Sequence, residues 1–264
     1  MNDILNLAGK VAVITGAGQG VGRQIALHFA AHGAGGVVVN DYYLDRAEAV
    51  AAEIVAAGGR ALAVEGDVTN PRSVATIMAA ATEEFDGIDV LVNNAGNAGA
   101  TPTGEEAKPF WETGPQVWDS HIAVNFYGVL NCTAAAIPTM IGRGGGNIIT
   151  VISDAGRVGE AGLEIYSGAK AGAAGFMRAV ARSLGRHAIR ANCISIAATR
   201  TPTVAAALDG GDPAQLKRAL ERYVIRRAGE PVDVANMALF LASDASSWVT
   251  GQTYPVNGGF SFSL

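Results

Sequence analysis

The run Val11-Ala12-Val13-Ile14-Thr15-Gly16-Ala17-Gly18-Gln19-Gly20-Val21-Gly22 joins a short apolar stretch to a cluster of glycines and then to a helical pattern. A continuous apolar run bounded by glycines reads as a parallel strand buried on both faces. The helix that follows carries Val21, Ile25, Phe29 and Ala30 on one side. A glycine-rich turn between the first strand and its helix places free backbone N–H groups at the positive end of a helix dipole, where a phosphate binds. The glycines follow Gly-x-x-x-Gly-x-Gly through Gly16, Gly20 and Gly22, not Gly-x-Gly-x-x-Gly, and no Lys-Ser or Lys-Thr follows to make a P-loop.

Outward from that turn the alternation continues. Strands are expected at Gly36–Asn40, Ala61–Val64, Val90–Val92, Asn147–Ile152, Arg190–Ser195 and Thr253–Val256, with helices over 44–57, 71–85, 116–141 and 163–185. Strands alternating with helices give a doubly wound α/β fold, a parallel sheet of about seven strands covered on both faces, and leave no room for a second domain in residues 1–264. Two stretches read as irregular, 97–115 and 197–213. Both follow strands at the end where open α/β sheets bind ligands, so both are expected to wall a substrate pocket.

Asn40-Asp41 closes the second strand, where a carboxylate accepts the hydroxyls of an adenosine ribose. Asp after a strand alone is usually a turn former. Joined to the glycines of the first turn, it points to dinucleotide binding and away from mere tight packing.

Tyr166 and Lys170 lie four apart in the helix over 163–185, on one face about a turn apart. An ammonium beside a phenol favours the phenolate, as a general base for an alcohol proton requires. Ser153 ends the fifth strand, thirteen residues before Tyr166, and can hold a substrate oxygen. A Tyr–Lys pair is most often an exposed surface pair. Here Gly168, Ala169, Ala171, Gly172, Ala173 and Ala174 strip the helix of bulk, which argues for close approach by a cofactor or another helix.

Taken together, these residues resemble the short-chain dehydrogenase/reductase family over nearly the whole chain. The resemblance rests on Thr15-Gly16 with Gly20-Val21-Gly22, Asp67-Val68, Asn93-Asn94-Ala95-Gly96, Asn125, Ser153, Tyr166-Ser167-Gly168-Ala169-Lys170, Leu239-Phe240-Leu241-Ala242-Ser243-Asp244 and Val249-Thr250-Gly251-Gln252. It implies Tyr166 as acid/base, Ser153 polarising the substrate oxygen, Lys170 lowering the Tyr166 pKa and binding the nicotinamide ribose, and Asn125 in a proton relay. It implies cofactor contacts from Gly16, Gln19, Gly20, Val21, Asp41, Asp67, Val68, Asn94, Ala95, Gly96 and Thr201, and a homotetramer. With Asp41 in place, the implied cofactor is NAD. One departure stands out: Ser195-Ile196-Ala197 replaces the family's Ser-Pro-Gly.

Composition limits the alternatives. Hydrophobic residues make up 49% and charged residues 16%, and the net charge is −5 without a Lys/Arg cluster, so nucleic acid and anionic membranes are not expected partners. The N-terminal Met1-Asn2-Asp3 is acidic where a signal peptide is basic, and no run reaches the roughly 20 apolar residues of a membrane span. A soluble cytoplasmic protein is expected. Cys132 and Cys193 are too few for a disulfide framework, and His28, His32, His121 and His187 show neither triad nor metal-ligand spacing. The expected function is an oxidoreductase moving a hydride between NAD and a small secondary alcohol or ketone. Pro109-Phe110-Trp111-Glu112, Leu163 and Ile165 point to an apolar pocket for an alicyclic, steroid-like or acyl-thioester substrate. The alternative is a dinucleotide-binding sensor without catalysis.

Overall fold

Seven short runs form the strands β1 (Val11–Ile14), β2 (Gly36–Asp41), β3 (Ala61–Glu65), β4 (Val90–Asn93), β5 (Gly146–Ser153), β6 (Ile189–Ile196) and β7 (Thr253–Val256), of which β1, β2 and β4 are buried throughout and the edge strands β3 and β7 only partly. The structure is a computed structural model describing residues 3–96 and 108–262. The strands pair in parallel in the order β3-β2-β1-β4-β5-β6-β7. The order reverses between β1 and β4, which opens a crevice at their carboxyl ends, the usual ligand site of such sheets.

The helices are α1 (Gly20–Ala31), α2 (Leu44–Ala56), α3 (Pro71–Phe85), α4 (Pro115–Ile122), α5 (Gly128–Gly142), α6 (Ala155–Val158), α7 (Glu164–Leu184), α8 (Pro202–Asp209), α9 (Pro213–Leu220) and α10 (Pro231–Ala242). Alternation along each strand divides the core into two layers. Ile14, Val37, Val39 and Val92 pack under α1, α2 and α10. Val13, Val38 and Leu91 pack under α3, α5 and α7. Burial on both faces explains why the inner strands β1, β2 and β4 read as near-continuous apolar runs.

Three expectations change. The single helix over 116–141 is two helices joined by a π turn, Ala123–Tyr127, which carries Asn125 at its centre. That whole stretch, Pro115–Gly142, is also long and apolar enough to cross a membrane by length and composition, against the sequence expectation, but here it packs on α3, α7 and β4. The stretch 197–213 is not irregular. It holds α8, with Pro202 in the first turn, and leads into α9, whose cap is the Asp212 carboxylate accepting from the Ala214 N–H at 3.0 Å. Within 97–115, residues 97–107 lie outside the described residues, and Phe110–Glu112 forms a short tight turn.

Candidate active site

Gly16 has φ +61°, and a Cβ there would lie 2.9 Å from the Ala95 Cα, so only glycine lets the first turn cross the end of β4. Gly22 is needed for a different reason: a Cβ would fall 2.3 Å from the Gly16 carbonyl and jam the turn against its own helix. Asn94 fastens the two strand ends, its Nδ2 donating to the carbonyls of Thr15 at 3.0 Å and Gly16 at 2.9 Å. Gln19 precedes α1 without a side-chain cap, which leaves the first-turn N–H groups of Gly20 and Val21 for a ligand. Asp41 accepts from the Gly18 N–H at 2.9 Å and the Tyr43 N–H at 3.2 Å, which aims its carboxylate into the same crevice. Asp67 and Val68 follow β3 on the far wall, with the Asp67 carboxylate accepting from the Thr69 N–H at 2.8 Å.

The second cluster forms where β5, α7 and the π turn meet. The Tyr166 phenol lies beside the Ser153 hydroxyl, which draws its pKa down. Lys170 is buried, and its Nζ donates to the Val151 carbonyl at 3.0 Å and lies 5.8 Å from the centre of the Tyr166 ring. A Cβ on Gly96 would sit 2.9 Å from the Asn125 Oδ1 and 3.0 Å from the Lys170 Nζ, so these three residues converge. Asn125 is fully buried, and its Nδ2 donates to the His121 carbonyl at 2.9 Å, one bond made by the widened turn.

The charges do not fall as expected. Burial pushes the Tyr166 phenol above its ordinary value, the Ser153 hydroxyl draws it down, and Glu160 raises it further. Lys170 is not among the causes. Burial lowers its own pKa to about 8, and its nearest partner is the Val151 carbonyl, not the phenol.

One cleft of about 940 Å³ runs from Asp41 past Gly16, Gly20 and Gly96 to Ser153, Tyr166 and Lys170, and onward to Thr201. Every expected cofactor residue, from Gly16 to Thr201, lines it; Asn125 stands just behind. The cradle fits a dinucleotide: glycines where phosphates pass, a carboxylate at one end and a buried cation at the other. The Thr201 side chain leans on the first turn, since a Cβ on Gly20 would lie 3.2 Å from its methyl. Ile196 and Ala197 also line the cleft, and Ile196 pairs with both Ser153 and Val256, so β6 runs one residue past its expected end where the family's proline would break the ladder.

The sequence reading placed the apolar wall wrongly. Phe110 and Trp111 are exposed and do not line the cleft, nor does Ile165, whereas Leu163 does. The wall comes instead from Val204 and Leu208 of α8, Leu216 and Leu220 of α9, and the Tyr223–Phe260 ring pair at 5.2 Å between centroids. His121 was also missed. It lines the cleft, its ring lies edge-on to Tyr166 at 6.5 Å, and its buried Nδ1 has no hydrogen-bond partner among the described residues. Its position four residues before Asn125 was the available signal.

Fold and site together define a doubly wound, dinucleotide-binding oxidoreductase with a serine–tyrosine–lysine centre. A family profile described as Enoyl-(Acyl carrier protein) reductase matches residues 16–261. The 7alpha-hydroxysteroid dehydrogenase of Escherichia coli (strain K12) is 36% identical over 258 residues, covering 98% of this chain and 96% of that protein. The cis-4-hydroxycyclohexanecarboxylate dehydrogenase of Sinomonas cyclohexanicum is 39% identical over 254 residues, covering 96% and 97%. A solved structure of 7 alpha-hydroxysteroid dehydrogenase complexed with NADH and 7-oxo glycochenodeoxycholic acid matches with a TM-score of 0.89 at 36% identity, covering 98% of this chain and 97% of that one. The chain belongs to the short-chain dehydrogenase/reductase family.

Proposed function

We propose that the protein is an NAD-dependent, cytoplasmic dehydrogenase or reductase of small secondary alcohols and ketones, with an apolar alicyclic, steroid-like or acyl-thioester substrate. The observation that carries this is the continuous cleft joining the Asp41 carboxylate to Ser153, Tyr166 and Lys170. The relatives named for hydroxysteroid and hydroxycyclohexane substrates support the alicyclic class.

When bound, NAD supplies the hydride acceptor or donor; the residues of this chain do the rest. Gly16, Gln19, Gly20 and Val21 would hold the pyrophosphate, Asp41 the adenosine ribose, and Asp67 with Val68 the adenine. Asn94, Ala95 and Gly96 would form the floor, Lys170 would bind the second ribose, and Thr201 the carboxamide. Ser153 holds the substrate oxygen and Tyr166 takes the carbinol proton in oxidation or returns it in reduction. The ammonium of Lys170 offsets phenolate charge once substrate and cofactor exclude water. Asn125, with its amide on the His121 carbonyl, supports a water path that refills Tyr166 from solvent. A binding-only sensor has no need of all four residues at once.

The test is a panel of secondary alcohols with NAD, followed by absorbance of the reduced nicotinamide. Cyclic alcohols with a polar substituent are expected to lead. No turnover across cyclic, steroidal and acyl-thioester alcohols, with NADH still bound, overturns the enzymatic reading in favour of the sensor.

A further inference from the structure

We propose that Asp154 is a positioning residue: its buried carboxylate clamps the C-terminal turn Asn257–Ser261 to the end of β5, beside Ser153, and so fixes one wall of the substrate cleft. The substrate part of this inference rests on the function proposed above; the clamp itself does not.

Asp154 follows Ser153 directly, is 1% exposed, and takes no part in the proton chemistry. Its Oδ1 accepts from the Ser195 hydroxyl at 2.6 Å and the Arg157 guanidinium at 2.9 Å. Its Oδ2 accepts from the Asn257 amide at 2.5 Å and the Ser261 hydroxyl at 2.8 Å. Its own N–H donates to the Ile196 carbonyl at 2.9 Å. Arg157 completes the clamp by donating to the Ser261 hydroxyl at 2.9 Å and the Phe262 carbonyl at 3.1 Å. A buried charge is tolerated only when it is paired and hydrogen-bonded. Here the donors are drawn from three separated places: α6, the end of β6, and the C-terminal turn.

Each of those places touches the cleft. The turn carries Phe260, whose ring packs on Tyr223; the Tyr223 hydroxyl accepts from the Ala198 N–H at 3.2 Å, just past Ile196. The Ile225 N–H donates to the Gly258 carbonyl at 2.8 Å, so the turn also braces the segment that follows α9. A ring of contacts thus runs from Asp154 through the turn, Phe260 and Tyr223 to Ala198, and back to Asp154 through Ile196. Loosening the turn frees Phe260 and, through Asp154, the strand end that carries Ser153.

The experiment compares Ser261→Ala and Ser261→Thr with the wild-type full chain, each loaded with NADH. Ser261→Ala leaves the Asp154–Arg157 pair in place, so the charge stays paired. Hydrogen exchange should rise in peptides covering 256–262 and also in those covering 154–158 and 195–199, and Ser261→Thr should restore protection. On the best alcohol of the panel, KM should rise about tenfold, the worth of a hydrogen bond to a charged group, with kcat within about twofold and recovery in Ser261→Thr. Faster exchange confined to 256–262, or an unmoved KM, overturns the clamp. If the wild type turns over no alcohol, the functional reading falls while the exchange pattern still decides the clamp. Should Ser261→Ala fail to fold, Arg157→Lys is read the same way, since it breaks the tie to Phe262.

Discussion

Lys170 holds an ammonium out of water, and burial alone brings it from 10.5 to about 8. Below pH 8 this lysine is protonated in both folded and unfolded chains, so its desolvation cost is present in full; above about 10.5 it is neutral in both and the cost is gone. Lys170→Met should therefore stabilise the protein at pH 7 by up to about 3 kcal/mol, or several degrees in Tm, while abolishing turnover. The gain should fade as pH rises from 8 to 10.5; a melting temperature that drops at pH 7 contradicts the assigned burial cost. Tyr166 carries the opposite lesson. Oxidation needs its phenolate, and the Ser153 hydroxyl is the contact that favours it. Ser153→Ala should move the rising limb of kcat for oxidation to higher pH, while Tyr166→Phe should cut turnover by at least about a hundredfold. A near-normal rate for Tyr166→Phe removes the assignment. At the other end of the cleft stands Asp41, the residue we propose sets cofactor choice. Arg46 lines the cleft beside Asp41, with its guanidinium stacked 4.3 Å over the Tyr43 ring. Carboxylate against 2′-phosphate should give NAD a preference of roughly thirtyfold in kcat/KM. Asp41→Ala should erase most of it, and equal efficiencies in the wild type sink the assignment. The Tyr166–Lys170 spacing and the strand-end Asp41 were legible because one element fixes each. The role of Asn125 came from resemblance, and Asp154 was invisible because, Arg157 apart, the partners Ser195, Asn257 and Ser261 lie 41 to 107 positions away.

Among the elements, the inner strands and the first glycine turn were readable because burial on both faces forces near-continuous apolar runs in β1, β2 and β4. The helices after β6 were not. Thr201-Pro202 and Asp212-Pro213 carry residues typical of turns, yet each pair is a cap followed by a first-turn proline, which starts α8 and α9. For α10 the signal was a reciprocal capping box between Glu230 and Asp233, with the Glu230 N–H donating to the Asp233 carboxylate at 2.8 Å. The π turn was equally hidden, since one extra residue in a helix leaves no mark on its apolar period. The segment is anchored at its base, where Thr199 bridges Gly229, the Arg200 N–H donates to the Gly229 carbonyl at 2.8 Å and the Gly229 N–H donates to the Ala198 carbonyl at 2.9 Å. Movement of α8 and α9 about that anchor is the expectation. Adding NADH and a product alcohol should slow hydrogen exchange across 202–220 while 198–200 and 228–230 stay as they were. Equal protection with and without ligands makes α8 and α9 a fixed wall instead of a lid.

At the scale of the whole molecule, the mildly acidic chain of 26.9 kDa leaves large apolar side chains in water: Trp248 at 99%, Trp111 at 71% and Tyr127 at 55% exposure. A fully exposed tryptophan is the kind of residue that protein interfaces enrich. The small residues of α7 tell a mixed story. Neither glycine is required by packing within the described residues, since a Cβ on Gly172 would make only an ordinary contact with Phe126 at 3.4 Å and one on Gly168 would have nothing within 4 Å. Open surface at Gly168 of α7 and around Trp248 offers contact area for the expected tetramer, in which two kinds of two-fold contact close four copies. Light scattering at micromolar protein should therefore give about four times the chain mass. Trp248→Glu places a charge in one contact only, so it should yield about half that mass with the NAD cleft intact, read by unchanged NADH binding. A wild type that scatters as a monomer ends the tetramer prediction, and a Trp248→Glu protein that stays tetrameric removes Trp248 from the contact.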